Sequence, residues 1–259
     1  MKFLIPGDMV ESVRHYITGF CVPDPMSEGS PPSYKVTTLQ LDSPDLSLHF
    51  AKSRELKNRF KLRVRSYGEA DGTCPVFIEI KRKFEHIVSK SRAKLDRENY
   101  VEVLDRALSK CESPDFDNKK DKDTFAEFIR LSRAMDAGPV MRIRYNRECW
   151  VGVEDTSVRI TLDTRLEYQS TSNLQVFNDA DPWLRADVAS SMKGVPSAVI
   201  LELKSGLKIP DWIISVVRHF RLQRTGYCKY SEAVNLESTF GGNKRFAMTG
   251  FRSNLRNCS

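Results

Sequence analysis

Regular alternation of charged and apolar residues is clearest in residues 59–68, whose sequence is RFKLRVRSYG. In a β-strand, successive side chains point to opposite faces, so every second residue lies on the same face. One face of this predicted strand is therefore apolar. The other is a row of cations formed by Arg59, Lys61, Arg63 and Arg65.

The sequence pattern predicts further strands, most of them with a polar face opposite an apolar back and with a less regular pattern in residues 140–153. These cover residues 34–42, 74–83, 140–153, 157–169 and 197–206. Because a glycine turn ends the first segment, we expect residues 74–83 to pair with it as a hairpin. The polar faces of these strands also carry cations, among them Lys81, Arg159 and Lys204.

Apolar residues at helical spacing predict helices over residues 6–20 and 92–111, around residues 125–131, and after Pro210. Their apolar stripes need a surface on which to pack, and the apolar backs of the strands provide one. We therefore predict an α+β fold in which helices lie outside an antiparallel sheet and the charged faces turn inward or toward a groove.

The composition changes near the C-terminus and suggests a domain boundary. After Asn235 the chain becomes rich in glycine, asparagine and arginine and loses its periodicity. We therefore predict one folded domain over residues 1–235 and a basic, loosely ordered tail over residues 236–259.

The row of cations has no acid on its own strand face, and like charges directly across a strand pair repel. At about 5 Å and an effective dielectric constant of ~20, two cations repel by roughly 3 kcal/mol. Two interpretations are a solvated face of a half-buried sheet and an enclosed site that binds an anion. We favour the anion site, because several repelling cations need a neutralising anion. Phosphate is the anion that fits best, since arginine binds its oxygens in a bidentate manner. Triphosphate or polyphosphate would match the number of cations.

The composition narrows the class of protein. Of the 259 residues, 40% are hydrophobic and 29% are charged, as is typical of a soluble globular protein. The net charge of +7 indicates an anionic partner. No apolar run approaches the ~20 residues that span a bilayer, so we expect no membrane span. The six cysteines form no CxxC pair, which favours reduced thiols and a cytoplasmic location.

Six short motifs occur in one order along the chain: FKLRVRSYG, VFIEIKRK, RIRYNRECWV, VRITLDT, AVILELK and YCKYSEAV. With these motifs, residues 2–234 resemble the catalytic domain of the vacuolar transporter chaperone family. That family contains the polyphosphate polymerases of the triphosphate tunnel metalloenzyme superfamily. The resemblance implies an antiparallel β-tunnel with polar residues lining its bore. Because the sequence shows neither the inositol-polyphosphate sensor domain nor the membrane helices of the eukaryotic members, we expect a stand-alone member of bacterial type.

The resemblance assigns roles to residues at matching motif positions. It implies phosphate binding and catalysis by a set of cations: Arg63, Arg65, Lys81, Arg147, Arg159 and Lys229. It implies substrate binding by a second set: Lys2, Tyr145, Lys90 and Lys204. Glu202, the acid of the LELK motif, matches the metal ligand. For each of these residues the simpler alternative is a surface ion pair.

This resemblance implies transfer of the ATP γ-phosphate to a growing inorganic polyphosphate chain. ATP or another nucleoside triphosphate would be the donor. The cofactor would be Mn²⁺ or Mg²⁺, held by phosphate oxygens and one or two carboxylates. Two departures from the family pattern bear on turnover, since Gln40 replaces an aromatic residue and Cys228 replaces a serine.

Two other functions remain open. A triphosphate hydrolase of the same superfamily commonly starts with an ExExK signature, which is absent near this N-terminus. The few carboxylates expected beside the cations also argue against activation of water. A non-catalytic binder of polyphosphate or nucleic acid would use the same cations. Nucleic acid is the less favoured partner, because its binding usually adds exposed aromatic residues, whereas the aromatic residues here fall mostly on apolar stripes.

Overall fold

A computed structural model of the protein describes residues 1–69, 74–110, 112–195, 197–206 and 208–240. The strands within these residues are β1 (Lys2–Ile5), β2 (Cys21–Pro23), β3 (Tyr34–Asp42), β4 (Arg59–Tyr67), β5 (Val76–Phe84), β6 (Ile87–Leu95), β7 (Gly138–Gly152), β8 (Arg159–Ser170), β9 (Leu184–Arg185) and β10 (Val199–Lys204). The helices are α1 (Val10–Ile17), preceded by a short 3-10 turn, α2 (Ser47–Ser53), α3 (Tyr100–Lys110), α4 (Lys119–Ala134), α5 (Asp211–His219) and α6 (Lys229–Phe240).

Hydrogen bonds connect the described strands into one sheet. Its strand order is β1-β10-β8-β7-β3-β4-β5-β6, with β2 beside β7 and β9 beside β8. The pairs β1–β10, β10–β8, β4–β5 and β5–β6 are all antiparallel. This mixed arrangement of an antiparallel sheet and flanking helices confirms the predicted α+β fold class.

The chain divides into two compact units. The first unit comprises Met1–Val36, Arg144–Glu167 and Leu184–Cys228. The second comprises Thr37–Ile143, Tyr168–Trp183 and the described residues that follow from Lys229. Each unit has its own core and its own group of candidate site residues.

In the second unit, the apolar faces of β4 and β5 pack with α3 and α4. Their alternate residues are buried, as the sequence pattern predicts. This core includes Leu62, Val64, Ile78, Ile80, Leu104, Phe125 and Phe128, all of them almost wholly excluded from solvent. Since burial of one such side chain contributes about 1.5–3 kcal/mol, these helices hold the hairpin firmly by its apolar face. The opposite, charged face of the hairpin is thereby fixed in position.

In the first unit, too, helices pack on the apolar faces of strands. Here the apolar faces of β1, β8 and β10 form a core together with α1 and α5. The core includes Phe3, Ile160, Leu162, Leu201, Leu203, Val13 and Ile213. The alternate residues of the same strands, which carry the charges, therefore share the other face.

The β4–β5 hairpin is confirmed, but the prediction of a helix over residues 92–111 is wrong in its first part. Ile87–Leu95 forms β6, which pairs with β5 along its whole length. The helix α3 begins only at Tyr100. Leu95, an apolar residue within the predicted helix, lies instead in β6 and is buried on the same strand face as Ala93. Lys90 therefore lies in the sheet, on β6 and opposite Lys81 of β5.

Helix α6 runs from Lys229 to Phe240 and so includes residues 236–240, which the sequence analysis assigned to the tail. The rest of the predicted tail, residues 241–259, lies outside the described residues. Within the described part of the chain, no helix is both long and apolar enough to cross a membrane.

Candidate functional site

The register of β4, β5 and β6 places many cations on one face of the second unit. Lys61 is opposite Lys81, which in turn is opposite Lys90. Residues directly across an antiparallel pair share a face, so the alternate positions of all three strands line up. We call this surface the basic face; its cations are Arg59, Lys61, Arg63, Arg65, Lys81, Lys83, Lys90, Arg92 and Lys94.

Glu79 lies among these cations and has none of its surface exposed. It is directly opposite Arg63 in the strand register. Its Oε2 is 2.5 Å from Arg63 Nε and 3.8 Å from Arg65 Nη1. Its Oε1 is 2.5 Å from Lys90 Nζ. The neighbouring strand therefore supplies one carboxylate to the row of cations on β4.

The pKa values of these groups show which effect dominates. Burial alone raises the pKa of Glu79, but Arg63, Arg65 and Lys90 outweigh it and bring that pKa down to about 2. Burial also lowers the pKa of Lys90, although Glu79 opposes the change. Glu79 is therefore an ionised, firmly engaged carboxylate at neutral pH, rather than a group ready to accept a proton.

In the first unit, β1, β10 and β8 bring together another set of predicted residues. Lys2 is opposite Glu202, and Glu202 is opposite Thr161. Lys204 is opposite Arg159 in the same register. These side chains therefore share the charged face of the unit, as the alternation in the sequence predicts.

Arg147 is held in this unit by a bidentate ion pair. Its Nε is 2.7 Å from Asp163 Oδ1, and its Nη2 donates to Asp163 Oδ2 at 2.8 Å. The guanidinium carbon is 5.2 Å from the centre of the Tyr145 ring. Burial lowers the pKa of Arg147, but Tyr145 and Asp163 raise it more, so its pKa lies well above the ordinary value. Arg147 is therefore a permanently charged and well-oriented donor.

Arg159 is held more loosely than Arg147. Its side chain is 53% exposed, and its Nη1 is 3.5 Å from Asp24 Oδ2. Such an exposed pair contributes little to stability, which leaves this guanidinium able to bind a ligand.

Glu202 is the candidate metal ligand. Its side chain is 18% exposed, and its Oε1 is 3.7 Å from Lys204 Nζ. The described residues contain no group of three or more His, Cys, Asp or Glu side chains arranged to hold a metal ion. A divalent cation bound by this one carboxylate would take most of its ligands from phosphate and water.

Lys229 belongs to the second unit, where it is the first residue of α6. The next residue, Tyr230, fixes the start of this helix by donating to Asp42 Oδ2 at 2.7 Å. Of the two departures from the family pattern, Gln40 is buried in β3 and Cys228 is a half-buried cysteine outside any disulfide.

The structure thus places the predicted residues in two groups. The second unit holds Arg63, Arg65, Lys81, Lys90 and Lys229, and the first holds Lys2, Tyr145, Arg147, Arg159, Glu202 and Lys204. The acids that pair with the cations, Glu79, Asp163 and Asp24, have no role in the sequence-based prediction. For Glu79 and Asp163 the signal was present, because each alternates in phase with cations on its own strand.

Comparison with known proteins adds to this picture. A solved structure, described as the PH1819 protein from Pyrococcus horikoshii OT3, is similar over 91% of this chain and 97% of its own, at 14% identity and a TM-score of 0.46. A search of curated proteins gives no match. The model of the family described as the VTC domain matches residues 1–237, which include every candidate site residue named above, and the chain therefore belongs to the VTC domain family.

Proposed function

We propose that this protein is a polyphosphate polymerase, which transfers the γ-phosphate of ATP to the end of a growing inorganic polyphosphate chain. Membership of the VTC domain family supports a function related to polyphosphate and an enzyme that acts on phosphate compounds. The observation that carries the proposal is the basic face, where cations from three adjacent strands surround a single buried carboxylate. Such a surface matches a flexible polyanion better than a compact ligand with one or two charges.

Phosphoryl transfer requires in-line positioning of donor and acceptor and neutralisation of charge, with little covalent work by the protein. Cations held in place before the reaction serve this purpose best. The proposed phosphate-binding residues are Arg63, Arg65, Lys81, Lys90 and Lys229 of the second unit and Lys2, Arg147, Arg159 and Lys204 of the first. Tyr145 supports this set through its contact with Arg147.

Glu202 would hold the divalent cation, together with oxygens of the bound phosphates. When bound, Mg²⁺ or Mn²⁺ supplies further positive charge to the phosphate oxygens. The role of the protein is to place this one carboxylate on the same strand face as Lys2 and Arg159, so that metal and cations act on the same side of the sheet.

The state of the carboxylates favours transfer over hydrolysis. A hydrolase needs a base that activates water, and a good base has a pKa near the working pH. Glu79 has a pKa of about 2 and is engaged by three cations. Both carboxylate oxygens of Asp163 accept hydrogen bonds from Arg147. Neither is suited to remove a proton from water, whereas a phosphate acceptor brings its own charged oxygen.

The test is incubation of the protein with ATP and either Mn²⁺ or Mg²⁺, followed by separation of polyphosphate from free phosphate. We expect long chains from the wild type. Lys81→Ala should slow their formation, while Lys110→Ala, at the end of α3, serves as a matched control and should not. Free phosphate without chains would identify a hydrolase, and the absence of both products would identify a binding protein.

A further inference from the structure

We propose that Glu79 is a positioning residue, which holds Arg63, Arg65 and Lys90 in place for the phosphate chain and lowers their combined charge so that the chain can be released. This inference rests on the proposed function, because that function assigns the three cations to phosphate binding. It adds a role for an acid that has no role in the proposed phosphate-binding set.

The geometry gives Glu79 a central place among these cations. The carboxylate lies on β5, and its partners come from the strands on both sides, Arg63 and Arg65 from β4 and Lys90 from β6. One oxygen serves the two arginines, and the other serves the lysine. Because Glu79 is fully buried, water cannot replace it as the common acceptor.

The first consequence of these contacts with Glu79 is that the long side chains of Arg63 and Lys90 are oriented. Free arginine and lysine side chains populate many rotamers, and ordering them costs conformational entropy. The hydrogen bond from Arg63 Nε and the ion pair with Lys90, both to this buried carboxylate, offset that cost in the folded protein before substrate binds. Arg63 and Lys90 then present their remaining donors in a fixed geometry, which is what stabilisation of a transition state requires.

The second consequence is a lower local net charge. Arg63, Arg65 and Lys90 carry three positive charges, and Glu79 removes one of them. A polymerase must bind a polyanion and also let it move on by one phosphate after each transfer. A carboxylate among the cations repels phosphate and weakens its binding, so loss of Glu79 should tighten the hold on the chain while the cations lose their alignment.

The decisive variant is Glu79→Gln, which keeps the shape of the side chain and removes its charge. We expect inorganic triphosphate to bind more tightly, because a repulsive charge is gone. We expect kcat for polyphosphate synthesis to fall by about tenfold or more, because small misplacements of binding groups have large effects on rate. A residue with a merely structural role would instead weaken binding and lower the rate together, in proportion to the loss of folded protein.

Glu127→Gln is the matched control. Glu127 also accepts from two cations, Arg82 and Arg130, but it lies on α4 and outside the basic face. The control makes the same change in net charge and should leave triphosphate affinity and kcat close to wild type. Equal effects of the two substitutions would overturn the proposal, as would a Glu79→Gln protein with unchanged affinity or unchanged kcat.

The double variant Glu79→Gln/Lys90→Met separates geometry from charge. It restores the local net charge of the wild type. Because it leaves two cations rather than three without their carboxylate, it can also be used if the single variant does not fold. We expect triphosphate affinity to return toward wild type while kcat stays low. Recovery of kcat would show that charge alone matters, and would overturn the positioning role. If the wild type makes no polyphosphate, the proposed function fails, and triphosphate titration of the variants still decides whether Glu79 controls affinity.

Discussion

At the scale of single residues, Arg63 and Arg159 have the same predicted role but different surroundings. Arg63 faces the fully buried carboxylate of Glu79, whereas Arg159 is half-exposed and lies near Asp24. A row of cations without an acid would gain stability on losing one member, but the ion pair with Glu79 reverses that expectation for Arg63. The two arginines therefore allow the contributions to stability and to binding to be measured separately.

We predict that Arg63→Ala lowers the free energy of unfolding by about 1–3 kcal/mol, because a buried carboxylate loses a charged partner. Arg159→Ala should change it by less than about 1 kcal/mol, as is usual for exposed pairs. Both should weaken triphosphate binding by roughly 1.5–3 kcal/mol, the contribution of a hydrogen bond to a charged group. Urea unfolding and triphosphate titration measure the two quantities. Equal destabilisation by both substitutions would contradict the structural distinction.

Glu202→Gln tests the proposed metal ligand. The substitution keeps the side-chain shape and removes the charge that attracts a divalent cation. Triphosphate should bind as tightly as before or more tightly, since a carboxylate near phosphate repels it. Polyphosphate synthesis should fall strongly, with partial recovery as Mn²⁺ is raised, because the phosphates supply the other ligands. Full synthesis at ordinary Mn²⁺ would show that Glu202 takes no part in holding the metal.

At the scale of elements, Asp42 connects the helices α2 and α6. Its Oδ1 accepts from Leu48 N and its Oδ2 from His49 N, both at 2.8 Å, at the start of α2. Oδ2 also accepts from Tyr230 Oη in the first turn of α6, next to Lys229. Because Asp42 is buried, water cannot take over these bonds. The position of Lys229 therefore depends on a contact made by its neighbour.

Tyr230→Phe removes one hydrogen bond of this network and keeps the ring. We predict a loss of about 1 kcal/mol in the free energy of unfolding. Backbone amides of α6 should exchange their hydrogens faster, while those of α4 should be unchanged. Tyr16→Phe, at a ring that packs against Phe220 in the first unit, is the control and should leave α6 unchanged. Uniform acceleration across both helices would show that the bond stabilises the whole fold rather than this helix.

Alternation in the sequence predicts β4, β5 and their hairpin because each strand has one face in the core and one charged face. The same signal is weak in β6. Most of Ile87–Leu95 is exposed on both faces, and only Ala93 and Leu95 are buried. Lys90, Arg92 and Lys94 alternate along this strand, but Ser89 and Ser91 at the intervening positions form no apolar face, so its second half looked like the start of a helix.

In the candidate site, too, alternation predicts some features and misses others. Alternation assigns Arg63 and Glu79 to the polar faces of their own strands. Alternation fixes the face on which each residue lies, but a slip of the strand pair by two residues would keep that face, and only the actual register places Arg63 opposite Glu79. The sequence therefore predicts a basic surface but not the buried carboxylate that organises it. Alternation likewise places Asp163 on the polar face of β8, but it does not show that Arg147 of another strand is its partner.

At the scale of the whole molecule, the net charge of +7 understates how unevenly the charges are distributed. On the basic face, Glu79 is the carboxylate that three cations share. The free energy of unfolding should therefore depend on pH more through Glu79 than through exposed acids. An exposed acid is solvated in both the folded and the unfolded state, so folding changes its pKa little.

We predict that the contribution of Glu79 to the free energy of unfolding is lost in acid. The pKa of Glu79 is about 2 in the folded protein, against an ordinary value of 4.5. A depressed carboxyl pKa stabilises the folded state above the unfolded-state pKa, and this stability is lost as pH falls through the interval between the two values. At 1.36 kcal/mol per pKa unit, the full contribution is about 3 kcal/mol, of which about 2 kcal/mol is lost between pH 7 and about pH 3. Other carboxylates titrate in the same range, so the informative quantity is the difference in unfolding free energy between wild type and Glu79→Gln. Urea unfolding at a series of pH values should show this difference shrinking by that amount on acidification. A difference that stays constant with pH would mean that the cations do not depress the pKa of Glu79, and that the carboxylate is not held as the structure indicates.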